Sequence, residues 1–282
     1  MANINLKFAI DGQPISLEEI AEVERKRAVH VLREMRALGA DLRVDGKAAT
    51  PEGIEQLDPG AAKALLVDTK FSLGAEGMRR LYRDKLAASD DVWRNISKNS
   101  AADTGFKPSV VELEVQGLRM GKLLAHLLTV TLTHDERWTY VSNPEHFVIS
   151  LAKGRQMVME TLGMHGEPVY MKMRVALSGL EPAARDPDTT LILLATAELA
   201  SDATPMGIHG MHQLKVRPDG IGMKLGIYFP SATPDELVEG HKWHLAVEFA
   251  RVMEMAAEAR LPVRAAIADM AVRTVTVLRR LR

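Results

Sequence analysis

The hydrophobic pattern of this chain changes period part-way along, and that change constrains the fold more than any other feature. Before Asn99 the apolar residues recur at helical spacing. Across the polar stretch KNSAADTGFKP, Lys98 to Pro108, the pattern turns loop-like and then alternates. VVELEVQ sets Val111, Leu113 and Val115 on one side. HFVISL and GRQMVMETLG, joined through Ala152-Lys153-Gly154, read as a hairpin. EPVYMKMRVALSGL alternates with Val169, Met171, Met173, Val175 and Leu177 one way and Lys172 and Arg174 the other, and TLILLATAELA reads as a more fully buried strand. GIHGMHQLKV and IGMKLGIYF flank Arg217-Pro218-Asp219-Gly220, a strong hairpin turn. Thr233-Pro234-Asp235-Glu236 then opens a helix reaching about Ala259, and Pro262 starts another. A run of antiparallel strands followed by a long helix is an α+β arrangement. The helix lies across a curved sheet, and the two enclose a cavity.

The first hundred residues read differently. A short strand, Ile4 to Ile10, precedes Ser16 and Glu19, whose spacing forms a capping box for the helix LEEIAEVERKRAVHVLREMRAL, closed by Gly39. Ile20, Val23, Val31, Met35 and Leu38 give that helix an apolar stripe, which must dock on something. The same stripe, from Leu17 to Leu38, supports a homodimer. Thr50-Pro51 and Asp58-Pro59 mark further helix starts, and a long charged helix is expected from about Ala75 to Ile96 with Leu81, Leu86 and Val92 inward. The expected organisation is a mainly helical region, residues 1–105, followed by the sheet-and-helix domain, 106–282.

Composition narrows the chemistry. Lys plus Arg number 36 and Asp plus Glu 37, a formal net charge of −1 over 282 residues, so no global field draws the chain to nucleic acid or an anionic membrane. The chain has no cysteine, which excludes disulfides, thiolate nucleophiles and thiolate metal sites. Any metal must be held by histidine and carboxylate. There is no basic, long-apolar leader and no apolar run long enough to span a membrane, so a cytoplasmic location is expected. With 15 methionines against 6 phenylalanines and 4 tyrosines, pockets should be lined by Met, Leu and Val.

The candidate site centres on Gly240-His241-Lys242-Trp243-His244-Leu245-Ala246-Val247-Glu248-Phe249. His244 and Glu248 lie one helical turn apart, and so share a face. Imidazole and carboxylate together can hold a divalent ion or act as a base beside one. His146, Glu160 and His212 lie on expected strands. His212 shares its face with Ile208, Leu214 and Val216, and Glu160 shares its face with Val158 and Leu162. A carboxylate turned towards a core needs a partner, either a metal or an internal ion pair. His241 is a fallback ligand on the helix; His209 is one on the strand, but points to the opposite face. His165 and Glu167 read as a solvent-exposed turn, His30 and His126 as helix-surface residues, and His134 as part of a polar loop.

At these residues the chain resembles the 2,4-diacetylphloroglucinol hydrolase family, with the phloretin-hydrolase-like enzymes, which are zinc-dependent carbon–carbon hydrolases of helix-grip, Bet v1-like fold. MHQLKVRPDGIGMKLGIYF followed by LVEGHKWHLAVEFARVMEMA is similar to that family's strand histidine, glycine hairpin, aromatic-bearing strand and terminal helix. NPEHFVIS and VMETLG resemble its histidine and glutamate strands. The similarity runs from Trp138 onward and rests on pattern and order more than on identity. It implies His146, Glu160, His212 and His244 as zinc ligands, with Glu248 in or next to the coordination shell. It also implies Tyr140 and Tyr228 as tyrosines contacting substrate oxygens.

The activity so implied is hydrolysis of a carbon–carbon bond beside a ketone, in an acylphenol or β-diketone. Glu248 would be the base, and Tyr228 or Tyr140 the proton donor or oxyanion partner. Two other readings stand beside it. One is a helix-grip domain that carries a small apolar ligand without catalysis, and the other is a metalloenzyme of different reaction type, such as a cyclase or isomerase.

Overall fold

The computed structural model describes residues 4–100, 105–133, 135–152, 155–164, 166–176 and 178–260. The second C-terminal helix expected from Pro262, and His134, His165 and Leu177, lie outside the described residues.

The chain opens with a hairpin, β1 (Asn5–Ile10) and β2 (Gln13–Ile15), followed by α1 (Leu17–Ala37). Ser16 and Glu19 form the reciprocal capping box at the start of α1, and Gly39 follows its end with φ 94°. A two-strand ribbon, β3 (Arg43–Val44) and β4 (Lys47–Ala48), leads to α2 (Pro51–Glu55) and α3 (Pro59–Leu81), whose first turns are capped by Thr50 and Asp58. The helix expected across 75–96 is broken. α3 kinks at Gly74 and ends at Leu81, fully buried Tyr82 leaves helical geometry, and α4 (Arg83–Asn99) begins anew. That break resets the helical phase, so Trp93 turns inward at 3% exposure and Val92 outward at 54%.

β5 (Phe106–Gln116) is followed by α5 (Met120–Thr133) and α6 (Glu136–Ser142). A six-strand meander comes next: β6 (His146–Ala152), β7 (Arg155–Glu160), β8 (Val169–Ala176), β9 (Leu191–Leu199), β10 (Pro205–Val216) and β11 (Gly220–Pro230). α7 (Asp235–Glu258) ends the described chain. The strands form one nine-stranded sheet, ordered β2-β1-β5-β11-β10-β9-β8-β7-β6, with every neighbouring pair antiparallel. β1 thus extends the sheet that the later residues build.

α7 packs on β5, where Val111, Leu113 and Val115 meet Leu245, Ala246, Val252, Met253 and Ala256 in the main core. The apolar face of α1 is covered within the chain, by α3 and α7. This takes away the basis for reading that face as a dimer surface. Buried Glu24 of α1 receives Lys63 of α3 at 2.9 Å and Arg251 Nε of α7 at 3.0 Å. Phe147, Val148 and Met159 of β6 and β7 pack against the α1–α3 cluster, so the helices cover that edge of the sheet. Among the described residues, no helix is long and apolar enough to cross a membrane.

Candidate metal centre

Between α7 and the inner face of the sheet lies a cavity of about 380 Å³. Its walls are apolar for the most part, including Leu127, Met173, Leu193, Met223, Ile227 and Phe249. β6, β7 and α7 bring five ionisable groups to its lining: His146, Glu160, His241, His244 and Glu248.

The β6–β7 pairing sets His146 directly opposite Glu160, with a register shift between His146 and Val148 that lets the strand bend there. His244 enters from α7. His146 Nε2 is 3.2 Å from His244 Nε2 and 3.2 Å from Glu160 Oε2, and His244 Nε2 is 3.8 Å from the same oxygen. Both imidazoles are buried, at 1% exposure.

The second nitrogens decide what these atoms can be. His244 Nδ1 lies 3.0 Å from Glu145 Oε2; a carboxylate only accepts, so this nitrogen carries the proton. Ser142 Oγ donates to the Thr139 carbonyl at 3.0 Å, which leaves its lone pair for His146 Nδ1–H at 3.1 Å. Each ring in its neutral form is therefore the Nδ1–H tautomer with a bare Nε2. Two nitrogen lone pairs and a carboxylate oxygen converge, and only a proton or a metal cation can reconcile them.

The donor set fits a metal. Ligands bonded at about 2.0–2.1 Å around a tetrahedral Zn²⁺ stand roughly 3.3–3.4 Å apart. Two of the three separations here are 3.2 Å and the third is 3.8 Å. Imidazole, imidazole and carboxylate is also a ligand set used by catalytic zinc sites, which leave a fourth position open.

Electrostatics agree with a cation-seeking cluster. Burial pushes the Glu160 carboxyl up, but the hydrogen bond from His146 and the charges of both imidazoles hold it below its ordinary value. Burial pushes His146 down, and the Glu160 hydrogen bond reverses this to a net rise. His244 is driven well below its usual range, mainly by burial. Burial raises the Glu248 carboxyl to about 7.

Beneath these three side chains lies a support that sequence reasoning missed. Glu145 is fully buried; it accepts Arg27 Nη1 at 2.5 Å and the backbone N–H of Met164, besides His244. Arg27 also donates to the Gly240 carbonyl at 2.7 Å. Asn143 donates to the His244 carbonyl at 3.1 Å and accepts the Glu145 N–H at 2.8 Å. Lys70, with no exposure, donates to the carbonyls of Pro144 and His146 at 2.6 Å each. One signal was available: Arg27 interrupts the apolar stripe of α1 between Val23 and Val31, where a solvated residue has no place.

Other expected site residues fall elsewhere. Among the described residues, the group that could hold a metal ion comprises His146, Glu160 and His244, and neither His212 nor Glu248 belongs to it. Glu248 lines the same cavity one turn beyond His244. His212 is on the inner face of β10, but β10 is three strands from β7 in the sheet, roughly 14 Å at 4.7–4.9 Å per strand. Its Nδ1 accepts the Gly226 N–H at 3.3 Å, which puts the ring proton on Nε2, and burial lowers it to about 4. It stays neutral and can donate into the cavity. Tyr228 pairs with His209 in the β10–β11 ladder, on the outer face with Ile192, Leu194 and Met211, so it does not reach the cavity. Tyr140 is also buried away from the cavity, edge-on to Phe71 at 5.5 Å. His241 lines the cavity and stacks on His244, with ring centroids 4.8 Å apart and its buried Nδ1 unpartnered. His30 is exposed on α1.

No family model matches the sequence, and no curated protein matches it. Among solved structures the chain is similar to the crystal structure of Ara h 8.0201. The TM-score is 0.37 and the identity 15%, over 55% of this chain and 100% of that one.

Proposed function

We propose that this chain is a zinc-dependent hydrolase of helix-grip, Bet v1-like fold that cleaves a carbon–carbon bond next to a ketone in a neutral, apolar substrate of the acylphenol or β-diketone type. The observation that carries the reading is the triangle of His146 Nε2, His244 Nε2 and Glu160 Oε2, in which outer hydrogen bonds on the two Nδ1 atoms turn both imidazole lone pairs towards the carboxylate oxygen. The strand order supports the fold: β5, two helices, a six-strand meander and α7 closing over the cavity.

His146, Glu160 and His244 would hold the ion. When bound, a zinc ion polarises a carbonyl and lowers the pKa of water. The remaining work falls to the chain's own residues. Glu248, with a carboxyl near 7, can take a proton and return it at neutral pH, which suits a base that later protonates a leaving carbon. His212 presents a neutral N–H to a substrate oxygen and takes the role first given to the tyrosines. The apolar walls exclude water and bind the body of the substrate. Among the described residues, no lysine or arginine lines the cavity, whereas Asp135, Glu160 and Glu248 do. This disfavours carboxylate, phosphate and other anionic substrates.

The test is turnover of acylphenols and β-diketones by the zinc-loaded chain, compared with Glu248→Gln and His212→Ala. Cleavage to a carboxylic acid and a deacylated product, lost in both variants, supports the proposal. Tight binding of these compounds with no cleavage at any pH would leave a ligand-carrying domain instead.

A further inference from the structure

The N-terminal helices approach the ligands from behind with two buried cations, and their geometry is more specific than a packing role requires. Arg27 of α1 spans two elements, with Nη1 on Glu145 and Nη2 on the Gly240 carbonyl of α7, one turn before His244. Glu145 in turn meets His244 Nδ1 at 3.0 Å. Lys70 of α3 fixes the two carbonyls that flank Glu145. A carboxylate on the far nitrogen of an imidazole sets which nitrogen is bare and how the ring points. A carboxylate this deep keeps its charge only if it is paired.

We infer that Arg27 and Glu145 are positioning residues of the metal centre. Arg27 anchors the Glu145 carboxylate, and Glu145 holds His244 as the Nδ1–H tautomer with Nε2 directed at His146 and Glu160. The helical region is thereby part of the site and not an appendage to it. Asn143 adds a second constraint, tying the backbone of Glu145 to that of His244. The effect on zinc rests on the functional reading above; the effect on the tautomer does not.

The test uses the full chain and two readouts. Long-range proton–nitrogen NMR of the metal-free protein reports the His244 tautomer, and chelator competition reports zinc affinity. Arg27→Met/Glu145→Leu replaces the ion pair by apolar groups of similar volume, and Lys70 keeps its hydrogen bonds to the Pro144 and His146 carbonyls. In the wild type His244 is expected to be Nδ1–H. In the double variant the Nε2–H form should appear, and zinc affinity should fall about 10–100-fold. Glu145→Gln, which keeps an acceptor, should preserve the tautomer and lose less affinity. A folded double variant with His244 still wholly Nδ1–H and zinc affinity within about twofold of wild type would overturn the inference. Should the double variant not fold, Arg27→Lys replaces the two-armed fork by a point charge and should weaken zinc several-fold; unchanged affinity and tautomer there would also overturn it. If the wild type takes up no zinc but the Nε2–H form still appears on going to the double variant, the enzyme reading is overturned and the positioning of His244 stands.

Discussion

His146 and His244 face each other through Nε2 atoms 3.2 Å apart that are bare when both rings are neutral, because Ser142 and Glu145 occupy their Nδ1 protons. Without a cation between them this contact is repulsive. Replacing either histidine should therefore remove the reason for metal binding. His146→Ala and His244→Ala are each expected to lower zinc affinity by more than about 100-fold, given that even outer hydrogen-bond partners are worth 10–100-fold. His212→Ala should leave zinc affinity unchanged, because that ring lies outside the triangle. Chelator competition on the three variants checks this.

On the proposed function, replacing Glu248 should separate holding a metal from using it. Its carboxyl, raised to about 7 by burial, should show the infrared band of a protonated acid in the metal-free chain near about pH 6 and lose it by about pH 8. The band should be missing in Glu248→Gln. That variant should keep its zinc and lose roughly 10²–10⁴ in turnover, the usual worth of a general base.

Lys70 makes stability depend on pH. Burial lowers its ammonium from 10.5 to about 7 in the folded chain. The unfolded chain therefore binds the extra proton between these values, and stability should rise as pH increases from about 7 to 10.5 and be lost as pH falls through about 7. The rise should amount to a few kcal/mol at most. Urea unfolding from about pH 7 to 10 should show it, and Lys70→Met should flatten it.

Gly163 lets the loop after β7 rest on α7. Its φ is +95°, and a Cβ there would stand 2.5 Å from the Gly240 carbonyl carbon and 2.7 Å from its oxygen. Gly163→Ala should cost at least about 2 kcal/mol by urea unfolding, through left-handed strain and overpacking. Gly166, with φ +76° but nothing within 4 Å of its Cβ, is the comparison: its alanine variant should cost less.

Much of the sheet was legible because alternation is a local signal. The hairpin through Ala152 put His146 opposite Glu160, and the helix from Asp235 put His244 and Glu248 on one side. The same signal gives a residue's face but not its distance across the sheet, so His212 looked like a ligand while sitting three strands away. α5 was read only through His126, expected on a helix surface and found half-buried; its bounds escaped because MGKLLAHLLTVTLT is apolar nearly all round and rich in β-branched residues, which blurs any period. Glu145 and Arg27 were overlooked because their partners lie 118 residues apart, and no spacing rule reaches that far.

The most direct measurement is zinc stoichiometry of the purified, untagged chain beside His146→Ala/His244→Ala. The expected result is about one zinc per chain in the wild type, in line with a single ligand triangle among the described residues, and none in the variant. A wild type that holds no zinc, and takes up none when zinc is added at neutral pH, would contradict the metal centre and leave a proton shared among His146, His244 and Glu160.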